Sequence, residues 1–105
     1  MAINNTRLST TGATTVFDAV GQQAITVIYL CNTTVTACTA TVFVIDSGDG
    51  TASSASNMVY SQLSLAANAT HVISMEKLIL DDNDLIKVQA SVANCITVTV
   101  SSIAV

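Results

Sequence analysis

One histidine, three cysteines and two short acidic runs are what this 105-residue chain offers to chemistry. A Ser or Cys nucleophile needs a base within hydrogen-bond reach, and His71 is the one imidazole that could serve. It lies in an apolar stretch, Thr70-His71-Val72-Ile73, and no serine sits in a Gly-x-Ser-x-Gly elbow. A catalytic triad is therefore not expected, and no residue is assigned a catalytic role. A zinc site wants four Cys or His ligands at pairwise spacing, whereas six residues separate Cys31 from Cys38 and neither His71 nor Cys95 completes a pattern. The run Asp81-Asp82-Asn83-Asp84 carries oxygen ligands for a hard cation but lacks the glycine and the distal glutamate of a calcium loop. Asp46 and Asp49, in Asp-Ser-Gly-Asp-Gly, are residue types that a loop between strands favours in any case. Both segments read as Asx-stabilised turns, and neither a metal nor a cofactor is expected.

An odd number of cysteines without the dense spacing of a disulfide scaffold points to reduced, buried thiols. Cys31 and Cys38 could still face each other across a hairpin. The triplets Asn4-Asn5-Thr6, Asn32-Thr33-Thr34 and Asn68-Ala69-Thr70 have the form of glycosylation acceptors, but a chain this rich in Asn and Thr produces them by chance. Phe17, Tyr29, Phe43 and Tyr60 are too dispersed for a sugar-binding or base-stacking platform and are expected in the core or an interface, where each buries about 150–250 Å².

Charge narrows the choice of partner. Seven acids against three bases give −4, the wrong sign for a nucleic-acid backbone, which needs clustered Lys and Arg to displace counterions. Half of the residues are hydrophobic, yet no apolar run approaches the roughly 20 residues that a membrane-spanning helix requires. No basic and then apolar leader opens the sequence, so secretion by a signal peptide is not expected. Charged residues are only a tenth of the chain, so its surface must be largely uncharged Thr, Ser, Asn and Ala and repels neighbours weakly.

The elements that position these residues are strands. Ile86, Val88 and Ala90 alternate with Lys87 and Gln89, and Ile96, Val98 and Val100 alternate with Thr97, Thr99 and Ser101. The four residues Ser91 to Asn94 between them suit a hairpin. Ala24 to Cys31 is apolar on both faces, with Ile25, Val27 and Tyr29 on one and Ile28 and Leu30 on the other, so it is central or covered by a partner subunit. Thr39 to Asp46 has the same character, and Asn32 to Ala37 is read as the turn of a second hairpin. Thr14 to Asp18, Met58 to Leu65 (Val59, Leu63 and Leu65 on one face) and Thr70 to Met75 are further strands. Met75 to Leu80 is too short for a stable helix and reads as a turn or strand end, and Asp46 to Asn57 as the longest loop. The expected fold is all-β, a single antiparallel β-sandwich of jelly-roll or Ig-like type with about seven to eight strands, spanning residues 1–105 as one domain.

Proline is absent and lysine is confined to Lys77 and Lys87, so two common protections of exposed strand edges are missing. The edges are expected to be covered by other subunits; bulges and short edge strands within a monomer are the alternative. Ile28, Tyr29 and Leu30 are the candidate interface residues.

With the strands placed, the pattern resembles the small single-domain virion proteins of tailed bacteriophages, of the marine and cyanobacterial kind. The resemblance covers most of the chain and rests on Thr26-Val27-Ile28-Tyr29-Leu30-Cys31-Asn32, Asn57-Met58-Val59-Tyr60, Glu76-Lys77-Leu78-Ile79-Leu80, and Asp84-Leu85-Ile86 leading into Ala90-Ser91 and Ala93-Asn94. It implies a structural protein present in many copies on the particle: a head decoration or cement protein, or a neck, tail or baseplate accessory. Its partners would be major capsid or neck and tail proteins and further copies of itself, with a trimer favoured on a capsid. A carbohydrate-binding fibre or tip module, recognising its ligand through Asp46–Asn57 and Asp81–Asp84, is the alternative of a different class.

Overall fold

The computed structural model describes residues 2–49, 53–73 and 78–104. Among the described residues nine strands follow one another: β1 (Ala2–Arg7), β2 (Thr14–Asp18), β3 (Gln23–Asn32), β4 (Cys38–Ile45), β5 (Met58–Leu65), β6 (Thr70–Ile73), β7 (Leu78–Leu80), β8 (Leu85–Ala90) and β9 (Ile96–Ala104). Two 3-10 turns, Ser47–Asp49 and Ala55–Asn57, lie between β4 and β5. The alternating β8 and β9 and the strands at Thr14–Asp18 and Met58–Leu65 stand where the period-2 pattern puts them. β1 has no such pattern, because Asn4, Asn5 and Thr6 are polar on both sides of the pleat. The expectations that touch Ser74 to Lys77, and the middle of the Asp46–Asn57 loop, lie outside the described residues.

Two antiparallel sheets form, one in the order β1-β9-β3-β6 with β7 also on β3, the other in the order β2-β8-β4-β5. They are named here for their central strands, the β3 sheet and the β4 sheet. β6 and β7 pair with successive stretches of the same β3 edge, Ile28–Cys31 and Gln23–Ile25, and so extend one edge. Counting them as one gives the nested pairs β1 with β9, β2 with β8, β3 with β6/β7 and β4 with β5, which is jelly-roll connectivity.

This connectivity corrects both expected hairpins. β8 and β9 are not neighbours, and neither are β3 and β4, since each pair is divided between the two sheets. The chain changes sheet at 8–13, 19–22, 33–37, 66–69, 81–84 and 91–95, whereas the long 46–57 connection joins partners in one sheet. Left-handed backbone at Gly21, Asn68, Asn83 and Asn94 turns four of these corners, conformations that Gly and Asn adopt at least cost. Backbone bonds then stitch the corners together. Asn94 N donates to Leu8 O and Thr33 N to Cys95 O at one end, and Asn83 N to Ala19 O and Ala19 N to Asp84 O at the other.

The core lies between the sheets. Ile28, Leu30, Val42, Ile86, Val88, Ile96 and Val98 are all fully buried there. A bulge between Ile25 and Val27 explains why β3 looked apolar on both faces: the extra residue, Thr26, shifts the alternation, so Ile25 points inward together with Ile28 and Leu30. The Thr26 hydroxyl donates to Ser101 O at 3.1 Å. Bulging of β5 has a similar effect. Three steps along β5, from Tyr60 to Leu63, face two along β4, from Val42 to Ala40, so Tyr60 and Leu63 pack on the core while Val59 turns to solvent.

Candidate functional site

The residues with chemical potential are engaged in holding the fold. His71 sits half-buried on β6, its ring edge-on to Tyr60 of β5 at 6.2 Å between centroids. Asp81, Asp82 and Asp84 accept hydrogen bonds from Gln22 Nε2 (3.1 Å), Gly21 N (2.8 Å) and Ser47 N (2.9 Å) respectively. Asp84 also accepts from Asp81 N, and Asp46 from Gly48 N. These carboxylates staple turns, as Asx geometry favours. Among the described residues, no three His, Cys, Asp or Glu side chains gather at metal-binding distances.

The opposite end of the sandwich carries features that the sequence did not reveal. Cys38, at the start of β4, forms a disulfide with Cys95, just before β9, and Cys31 is free on β3. The expected reduced thiols and the possible Cys31–Cys38 pairing are thus corrected. Cys31 and Cys38 lie on strands of different sheets, and Cys38 points into the core toward the far sheet. Beside the disulfide, Asn32 is fully buried. Its Nδ2 donates to Thr36 O (2.9 Å), Ala66 O (3.2 Å) and Leu65 O (3.3 Å), and its Oδ1 accepts from Thr34 N (3.0 Å) and Thr34 Oγ1 (2.8 Å). One amide therefore ties the 33–37 corner to the 66–69 corner. Its place in an Asn-Thr-Thr triplet signalled a turn and nothing more, because burial depends on a corner distant in sequence.

The outer faces of the two sheets differ. Phe43, Ile45 and Leu85 alternate away from the central core yet are buried, packed with Ala13 on the outside of the β4 sheet. The Ala55–Asn57 turn of the long connection lies close to β4, where it leads into β5. The rest of that face is a polar cleft of about 240 Å³, with Thr41, Gln62 and Gln89 in its lining.

Among the described residues, no comparable buried cluster lies on the outer face of the β3 sheet. Its registers place Asn5, Thr99, Tyr29 and Val72 in one row across β1, β9, β3 and β6, with Ile3, Ser101 and Val27 in the next and Ile103, Ala24 and Ile79 toward the far end. Ile3 is 64% exposed, Ile79 56%, Val72 49% and Tyr29 41%. Arg7 is the one charged side chain in these rows among the described residues. Strand spacings of about 4.8 Å and 3.3 Å per residue give the four-strand face on the order of 600 Å² in projection. Exposed aliphatics gathered on a face of several hundred Å² with so little charge are a feature that interaction sites often share.

Of the three candidate interface residues, Ile28 and Leu30 are fully buried in the chain's own core, which corrects their assignment. The bulge at Thr26 directs them inward. Tyr29, between them, points outward and lies near the middle of the open face. Val72, Ile79, Ile3 and Ile103 complete that face, and sequence reading missed them because they stand on four different strands.

No protein-family model and no curated protein matches the sequence. One solved structure, "Structure of infectious bursal disease virus Gx strain", is similar at 17% identity and a TM-score of 0.38, over 95% of this chain and 28% of that chain.

Proposed function

We propose that this chain is a non-enzymatic structural protein of a tailed-phage virion, assembled in the host cytoplasm, and in the first place a head decoration or cement protein. A neck, tail or baseplate position is the nearest variant of this reading. The observation that carries it is the outer face of the β3 sheet, where Ile3, Tyr29, Val72, Ile79 and Ile103 stand exposed with one charge, Arg7, among the described residues. The sequence resemblance and the low overall charge point the same way.

Magnitudes indicate the kind of assembly. If about half of the face is apolar, roughly 300 Å² at about 25 cal/mol per Å² contributes about 8 kcal/mol on burial. Immobilising a subunit costs about 4–15 kcal/mol, so one such contact is marginal. Repetition over a particle, with contacts to capsid or tail proteins and to further copies, makes the attachment stable. A sugar-binding tip is less well supported, because the Asp46, Asp82 and Asp84 carboxylates already accept backbone donors and the Asp81 carboxylate accepts from Gln22 Nε2.

Quantitative mass spectrometry of purified virions tests the reading. The chain is expected in many copies and at a fixed ratio to the major capsid protein. Its absence from the particle overturns the proposal.

A further inference from the structure

The free edges of the sandwich are not alike. β5 carries two register irregularities and the left-handed Gln62 (φ 50°). β2 has a bulge between Thr15 and Phe17 and ends on Asp18. β6 and β7 are only four and three residues long. Bulges, charge and shortness each keep an edge from pairing with another strand. For these edges the chain protects itself, contrary to the expectation that neighbours must cover them.

β1 has none of these devices. It runs six residues in unbroken register with β9, and its one charge, Arg7, stands at its end. Leu8 N donates to Ile96 O at 2.9 Å. Alternation from there makes Thr6 and Asn4 the residues bonded to β9 and leaves the N–H and C=O groups of Ile3, Asn5 and Arg7 facing outward from the sheet edge. The side of the sandwich beside β1 is open, a groove of about 420 Å³ between Ile3–Thr6 and Thr15–Asp18. On the other side the Tyr60–His71 ring contact bridges the two sheets.

We propose that β1 pairs with β1 of a second copy, antiparallel, about a two-fold axis at Asn5. Opposed residues must share a face and use edge-facing groups, so Ile3, Asn5 and Arg7 must oppose one another. Centring on Asn5 sets Ile3 against Arg7, Asn5 against Asn5 and Arg7 against Ile3, and each pair exchanges two backbone hydrogen bonds. Centring one residue earlier leaves only the Ile3–Asn5 pairs. The antiparallel register also separates the two Arg7 residues by about 13 Å along the strand, beyond the Debye length of about 8–10 Å. A parallel pairing would bring them within about 5 Å. The two β3 sheets become one, and their sparsely charged outer faces join. The pairing stands on the edge geometry; it rests on the assembly reading only for what the widened face meets.

Asn5→Asp tests this. Asn5 Oδ1 accepts from Thr99 Oγ1 at 2.8 Å, and an aspartate keeps that bond within the monomer. Across the axis it sets two carboxylates against each other. Sedimentation of the full chain across roughly 10 µM to 1 mM is expected to rise toward twice the 10.8 kDa monomer mass. Asn5→Asp, with an unchanged melting curve, is expected to raise the dissociation constant roughly tenfold to a hundredfold, and dimer returns below pH of about 4 as the carboxylates protonate. A wild-type chain that stays monomeric throughout overturns the proposal, as does any association, trimeric or otherwise, that Asn5→Asp leaves unchanged. A monomer that is nonetheless found in virions removes the pairing alone; a dimer absent from virions removes the assembly reading alone.

Discussion

The outer faces of the two sheets began with the same signal and ended differently. Val42 to Ile45 is a run of aliphatic and aromatic residues, and Ile25 to Leu30 is such a run broken only by Thr26. On the β4 sheet the outward members, Phe43 and Ile45, are buried in a cluster with Leu85 and Ala13. On the β3 sheet the outward members, Val27 and Tyr29, remain half-buried and exposed respectively among Ile3, Val72 and Ile79. An apolar strand face thus demands a cover without saying who supplies it. On the β4 sheet the monomer buries its outward members in its own cluster, and on the β3 sheet, among the described residues, the face stays open.

The largest expected effect breaks the covered side. Ile45→Asp places a charge without a partner at a position that is fully buried, and should cost more than about 4 kcal/mol. Against a total of about 5–15 kcal/mol for a small domain, that largely unfolds the chain. Circular dichroism should show the melting transition lowered or lost, and a variant that melts like the wild type would mean that the outer cluster of Phe43, Ile45 and Leu85 does not hold this face closed.

A smaller effect is expected from joining two changes, Cys38→Ser and Cys95→Ser. The disulfide links the sheets across 57 residues of sequence, and chain entropy assigns it roughly 4 kcal/mol as an upper figure. Denaturant unfolding should show a loss of about 2–4 kcal/mol, with no change in attachment to particles under conditions where the variant remains folded. Weaker attachment would show that the end of the sandwich, and not the open face alone, meets the neighbour.

The smallest change in stability should come from the open face. Val72→Ser together with Ile79→Ser alters side chains that are about half exposed, so folding should shift by less than about 1 kcal/mol. Copy number on assembled particles should nevertheless fall several-fold. Full occupancy by this variant would sharpen the contrast in the other direction, leaving the open face without a role in attachment.

Much of the sandwich was legible in the residues. Ile86, Val88, Ala90, Ile96, Val98 and Val100 read as inward positions and are buried. The acidic turns were also legible, since short carboxylates bond to backbone donors close by in sequence or space. The bulges at Thr26 and near Gln62 were not, and they moved Ile25 and Tyr60 inward and Val59 outward. β1 escaped notice because a polar edge strand has no apolar rhythm. The Asn32 network and the Cys38–Cys95 bond escaped for another reason: their partners are far away in sequence.

What the sequence determined by itself was the alternation, because a pleated strand sends successive side chains to opposite sides whatever surrounds it. What only the tertiary structure decided was the sheet to which each strand belongs, and with it the disulfide, the open face and the bare edge. A corner of four to six residues can turn back beside its own strand, about 4.8 Å away, or cross to a facing sheet about 10 Å away. Both lie within its reach, so the choice falls to the closure of the whole core.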